Sequence, residues 1–205
     1  LKAAVDLLVQ DLEEMVSYWT DSGKATLMLK NNYSLAMSSI LMGMGSLSYG
    51  ELAGERMQLG LYLNDPEEEH DCFSDNTHNS HYYNQVGISN IYYANYKRIN
   101  GNEINGYSLS DSIQNTNPKF SKVMDSKIQN ATIALSNVRV RAENIESYDQ
   151  MIAKDNIEGN NTIQVAINAL VDESKSFEEL VKIIGLKDIK FEGSDSLDSP
   201  EDVFK

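Results

Sequence analysis

The sequence is short of the residues that staple, break or span. Its single cysteine, Cys72, cannot form an internal disulfide, which excludes a disulfide-framed scaffold. Three prolines in 205 residues leave room for long helices. No apolar run reaches the ~18 residues that a membrane-spanning helix needs. No signal-peptide pattern is visible. The chain starts at Leu1 inside a helical pattern, so the native N-terminus is expected upstream. Basic side chains are scarce, 17 against 31 acidic ones, for a net charge of −14. A surface that negative repels nucleic acid and anionic lipid. It suits cations, basic partners and, for most of the charges, simple solubility. The phosphate-binding Walker A and dinucleotide glycine patterns, the zincin H-E-x-x-H and the hydrolase nucleophile elbow are all absent.

What is present is helical periodicity. Apolar residues make up 41% of the chain, enough for a core, and its length suggests one domain or slightly more. Ala4, Leu7, Leu8, Leu12, Met15, Val16 and Trp19 recur at helical spacing, and Asp21–Ser22–Gly23 ends that segment. A second pattern from 32 to 63 carries Leu35, Met42, Leu47, Leu52 and Leu59. It also holds the small residues Gly43, Gly45, Gly50, Ala53 and Gly54. An interior helical glycine costs ~1 kcal/mol against alanine. The small residues therefore imply close helix–helix approach, or a break near Gly43–Gly45. Helical spacing resumes over 82–97 through Val86, Ile88, Ile91, Tyr92 and Tyr96. Asn100–Gly101 and Asn105–Gly106 predict an irregular stretch or a small hairpin. Pro118 opens a long amphipathic stripe through Phe120, Met124, Ile128, Ala131, Leu135, Val138, Ala142 and Ile145, extended to Met151 and Ile152 and closed by Asn156–Gly159–Asn160. The last stripe is Ile163, Ile167, Leu170, Phe177, Val181 and Ile184, with Gly185 beyond its end. An irregular acidic tail follows, pinned by Phe191, Leu197 and Phe204. With no useful period-2 pattern, the expected fold is all-α, an up-and-down helical bundle of four or five helices.

The polar loop over 64–81 is the candidate site. Residues 67–78 hold two of the three histidines, the cysteine and five carboxylates. Dense polar loops between helices often bind something. His70, Asp75 and His78 are the candidate metal ligands, since imidazole and carboxylate are the donors a transition or hard cation accepts. His81 adds a three-residue spacing with His78. Glu55 and Arg56 end the small-residue helix and are candidate ligand-site groups, with Arg56 able to pair Asp75. Glu51, Cys72, Ser74 and Thr77 would support them. Glu67, Glu68 and Glu69 read as a solvated run. Tyr82, Tyr83, Tyr92, Tyr93 and Tyr96 read mainly as core. Asp75–Asn76–Thr77 reads equally well as a turn bonded to its own backbone, which would make the loop a conformational lock.

The segments Gly50–Glu51–Leu52–Ala53–Gly54–Glu55–Arg56–Met57 and Glu69–His70–Asp71–Cys72–Phe73–Ser74–Asp75–Asn76–Thr77–His78–Asn79 resemble the imelysin-like family, and its iron-regulated protein A branch in particular. Tyr148–Ile152 and Phe191–Leu197 resemble later segments of that branch. The resemblance implies a bacterial periplasmic or outer-membrane-anchored protein with two helical-bundle halves. It also implies a Gly-x-His-x-x-Glu metal or peptidase motif near the contact between the halves. No histidine here is followed by glutamate three residues later. Residues 1–205 are therefore expected to be the C-terminal half, whose partner is the N-terminal half. The implied function is metal or iron uptake as a binding protein. The alternatives are a metallopeptidase or a purely structural domain. The implied cofactor is a metal ion, iron, zinc or calcium. Catalytic residues are not identifiable from this sequence.

Overall fold

The computed structural model describes residues 1–186 and 189–203, Asp202 by its backbone alone. The Phe204 anchor expected for the tail lies outside the described residues. The chain divides into two compact units, Leu1–Leu41 and Met42–Lys205.

The first unit holds α1 (Lys2–Tyr18), α2 (Lys24–Asn31) and the start of α3 (Tyr33–Ser46). Both expected features of the first segment are found: the helix, and its end before Gly23, whose amide bonds to Thr20 O at 2.9 Å. The expected inward face is not. No residue of α1 or α2 is buried. Leu7, Leu8, Leu12, Met15, Val16 and Trp19 are each 52–69% exposed. Periodicity gives a helix its apolar stripe, but only an opposing surface can bury it.

The second unit is the bundle. The rest of α3 runs into a π-helix over Leu47–Gln58 and then α4 (Leu59–Leu63). A 3-10 turn at Pro66–Glu68 and the polar loop lead to α5 (Thr77–Tyr93). An antiparallel hairpin follows, β1 (Asn95–Lys97) and β2 (Glu103–Asn105), with Tyr96 opposite Ile104. Then come α6 (Leu109–Thr116), α7 (Pro118–Asn144), α8 (Tyr148–Ile152), α9 (Ile157–Ile183), α10 (Asp195–Asp198) and α11 (Pro200–Val203). The core joins Leu52, Met57 and Leu61 to Leu135 and Val138 of α7, Met151 and Ile152 of α8, and Ile163, Ile167 and Leu170 of α9. The expected all-α bundle is the fold of this unit.

Local chemistry sets the ends. Ser108 and Asp111 form a reciprocal capping box at the start of α6. Pro118 is the first residue of α7, and Asn117 caps it through Phe120 N. Gly185, at φ +74°, follows α9; its amide reaches Lys182 O and that of Leu186 reaches Val181 O, a Schellman end. Three expectations change. The long helix does not continue from 118 to 152: it ends at Asn144, and Ile145 is 68% exposed. Asn156 does not close that helix but caps α9, accepting from Gly159 N at 2.8 Å. α5 begins at Thr77, five residues before the apolar pattern shows it, and Tyr96 belongs to β1.

The small residues of the second pattern are explained by close approach. An added Cβ on Gly45 would overlap the Phe191 ring, and one on Gly54 would overlap the Ser194 side chain. On Gly50 it would lie 2.7 Å from Glu192 O. The approaching segment is the tail, Phe191–Ser194, not another helix. Spacings of five and four keep these glycines on one face where hydrogen bonds run from i to i+5. Gly43 faces open space.

Candidate functional site

The loop is built by its own side chains. Asn64 adopts a left-handed conformation and donates to Leu61 O at 2.8 Å and Ile152 O at 2.9 Å, tying the end of α4 to the end of α8. Asp65 caps the 3-10 turn through Glu67 N. Thr77, fully buried, accepts from Asp71 N at 2.9 Å and donates to Glu69 Oε1 at 3.0 Å. Asp71 also accepts from Ser80 Oγ. Ser74 N bonds Asp71 O at 3.0 Å, and Asn79 donates to Asn76 Oδ1 at 2.9 Å. The hinge of this turn is Asp75, at φ +51°.

This folding turns one member of the glutamate run inward. Glu69 is only 6% exposed, against the expectation of a solvated run. Its Oε2 is buried without a hydrogen-bond partner. Glu69, Asp75 and Asp149 each offer a carboxylate oxygen, and these oxygens lie within 4.8 Å of one another. Asp149 stands in the first turn of α8, where Ser147 Oγ donates to it. Burial above all, and then the charges of Asp149 and Asp75, raise the pKa of Glu69. Thr77 opposes that rise by donating to the carboxylate.

The sequence-derived candidates disperse. Of them, Asp75 alone belongs to the carboxylate group; among the described residues His70 and His78 join no such group. His70 is exposed and stacks on His81 with ring centres 6.0 Å apart. His78 Nε2 lies 3.1 Å from Asn79 Nδ2, and its Nδ1 is buried without a partner. Arg56 does not pair with Asp75: its Nη2 donates to Glu51 Oε2 at 2.8 Å. Glu55, exposed, accepts from Ser194 Oγ at 2.6 Å. Cys72 is half-buried, and burial with the Glu67, Glu69 and Asp75 charges pushes its thiol pKa up, away from the thiolate a soft metal needs. Ser74 is exposed, with its hydroxyl on Asp71 O at 3.3 Å. A cavity of about 670 Å³ lies between α9 and residues 189–193 and includes no loop residue.

Behind Glu69 sits a second set of orphaned groups. His81 is fully buried, neither ring nitrogen has a partner, and its ring meets Tyr148 edge-on at 5.4 Å. Burial first, then the His70 and Arg56 charges, lower its pKa to about 3, so it is a neutral imidazole. Tyr148, 3% exposed, also has an unpartnered hydroxyl, raised in pKa by burial and by the Glu69 charge. The sequence pointed to His81 only weakly. It gave no signal for Asp149, which lies 80 positions after Glu69 and meets it only because α8 packs beside the 3-10 turn.

Three oxygens, no sulfur and no imidazole in the group define a site fit for a hard cation. The buried Oε2 of Glu69 supplies the fit: it is out of water and makes no hydrogen bond of full geometry, although the backbone of Asp149 approaches the carboxylate, a condition a cation relieves. A helical bundle with three converging carboxylates sets the class of the molecule. The chain belongs to the imelysin family, whose sequence model (Imelysin, peptidase family M75) matches residues 1–177. No curated protein matches the chain.

Proposed function

We propose that this chain is the C-terminal half of an imelysin-like binding protein of the bacterial envelope, of the iron-regulated protein A type, which takes part in iron or other metal uptake. Its resident cation is held by Glu69, Asp75 and Asp149. The observation that carries this reading is the buried, unpartnered Oε2 of Glu69 inside a group of three carboxylates. Like charges at that spacing cannot all ionise cheaply without a counter-ion. The bound cation would neutralise them and hold the loop closed against the start of α8. His70 and His78 are left to face the N-terminal half. The self-bonding of Thr77, Asp71 and Ser80 serves this site: it fixes the loop and leaves one oxygen of Glu69 for the ion.

The test is calorimetric titration of Ca²⁺, Mn²⁺ and Fe²⁺ into the wild type, E69Q/D149N and H70A/H78A. Loss of binding in the carboxylate variant alone is the expected result. Equal affinity in wild type and E69Q/D149N overturns the site. The family's designation as a peptidase family favours a second reading, a metallopeptidase. That activity needs a general base and an open metal position, and the family's His-x-x-Glu pattern is not in this sequence. Chelator-sensitive cleavage of insulin by the full-length protein would establish it.

A further inference from the structure

Away from the loop, Glu173 of α9 is fully buried, and among the described residues it enters no ion pair. Its Oε1 accepts from Gln85 Nε2 of α5 at 2.7 Å. Its Oε2 lies 3.0 Å from Ser48 Oγ of the π-helix. Ser48 Oγ also lies 3.0 Å from Leu170 O. A carbonyl oxygen can only accept, and a serine has one hydroxyl proton. If Ser48 gives that proton to Leu170 O, the contact with Glu173 needs a proton from Glu173. The three contacts of the acid then close: Glu173 donates from Oε2 to Ser48, Ser48 donates to Leu170, and Gln85 donates to Oε1, leaving Gln85 Oε1 buried without a partner. A carboxylate in the same place would set two acceptors against one hydroxyl, with a buried charge and no cation.

We infer that Glu173 is a neutral carboxylic acid whose proton latches the π-helix to α9 and α5, and that loss of this proton releases the segment carrying Glu51, Glu55 and Arg56. Burial is the main reason the acid form persists; it holds the pKa up at about 8. The surrounding charges offer no relief. From α5 an ionisable neighbour is Tyr93, whose hydroxyl donates to Asp125 of α7 and whose pKa is raised first by burial and by Asp125, and least by Glu173 when that group is charged. On α7, Lys127 is held by Asp172 and Arg139 by Glu143. On the π-helix, Arg56 is held by Glu51, Glu55 takes Ser194 Oγ and Tyr49 donates to Asp198. The proton that leaves goes to bulk water, and the hydroxyl of Ser48 then faces two acceptors. Long π-helical stretches are rare and concentrate at functional sites. A single proton here sets whether this one stays docked.

Glu173→Gln keeps one acceptor for Gln85 and supplies a permanent donor for Ser48. An unfolded glutamate titrates near about 4.3, the folded one at about 8. In that window the unfolded state binds fewer protons, so stability falls as pH rises, and it levels off above the window. The wild-type melting temperature is expected to fall relative to that of E173Q from pH 5 to 8; parallel profiles overturn the inference. Amide exchange of residues 47–58 at pH 9 is expected to be at least about threefold faster in the wild type than in E173Q, and equal exchange overturns the release. Should E173Q fail to fold, infrared spectra of the protein in an E69Q background decide. A protonated-carboxyl band present at pH 7 and lost by pH 9.5 supports the latch, and no such band at pH 7 overturns it.

Discussion

Thr77 holds the polar loop together with one hydroxyl. It accepts from the Asp71 amide and donates to Glu69, and it is wholly buried. Thr77→Ala leaves a part-buried amide and a buried carboxylate oxygen without partners, a loss of about 1–3 kcal/mol. Denaturant unfolding should show a lower midpoint with an unchanged slope. Ser74→Ala, at an exposed hydroxyl, should stay within about 0.5 kcal/mol. His81 gives a pH signature of its own. Its folded pKa, about 3, lies below the ordinary imidazole value, so the unfolded state takes up protons first. Its contribution is present above about pH 6.5 and is lost as pH falls toward 3. His81→Phe should flatten the acid limb of the stability profile between those values, and an unchanged limb would show that another group governs it. At this scale the sequence pointed to a stretch, and the structure groups carboxylates that it named only in part. It marked Asp75 and Thr77, because short polar residues at a turn have few other uses. It could not mark Glu69, because neighbouring carboxylates in a run differ only in where the backbone points them.

The π-helix shows what an element's pattern carries and what it hides. Five small residues in one helical stretch implied close approach of another helix, and the segment that comes close is the tail. They did not reveal that Gly45, at the end of α3, and Gly50 and Gly54 of the π-helix lie together beneath Phe191–Ser194. Gly50→Ala presses a methyl group against the Glu192 carbonyl, which is backbone and cannot step aside; a cost of about 1–3 kcal/mol is expected. Gly43→Ala meets nothing within 4 Å and should be neutral or stabilising by up to about 1 kcal/mol. Thermal melts of both variants check the pair, and similar shifts in the two would refute the account. Pro118 at the start of α7 and the glycine after α9 were legible because helix ends are set by local chemistry. The end of α7 at Asn144 was not: the apolar stripe runs on past it, and the break at 145–147 is set by α8 docking into the core.

For the whole molecule, charge dominates. A net charge of −14 pushes the folded chain apart, so any salt should stabilise it to some degree. A specific cation does more. At one hundred times its dissociation constant it should add about 2.7 kcal/mol to the wild type and nothing to E69Q/D149N. Sodium chloride at matched ionic strength provides the screening control. Equal melting shifts in both proteins would mean that screening alone is at work. At this scale too, the first unit departs from its pattern: α1 has the stripe of a core helix and buries none of it.

The sequence by itself determined that the described chain is mostly helical and where α1, α3 and α7 start. These follow from periodicity, capping and composition, which act over a turn or two of chain. Only the tertiary structure decided that Glu69 turns inward, that Asp149 joins it from 80 residues away, and that Glu173, Ser48 and Gln85 meet from three separate elements. Burial and convergence are properties of packed neighbours, and no local pattern records which distant side chain will take water's place.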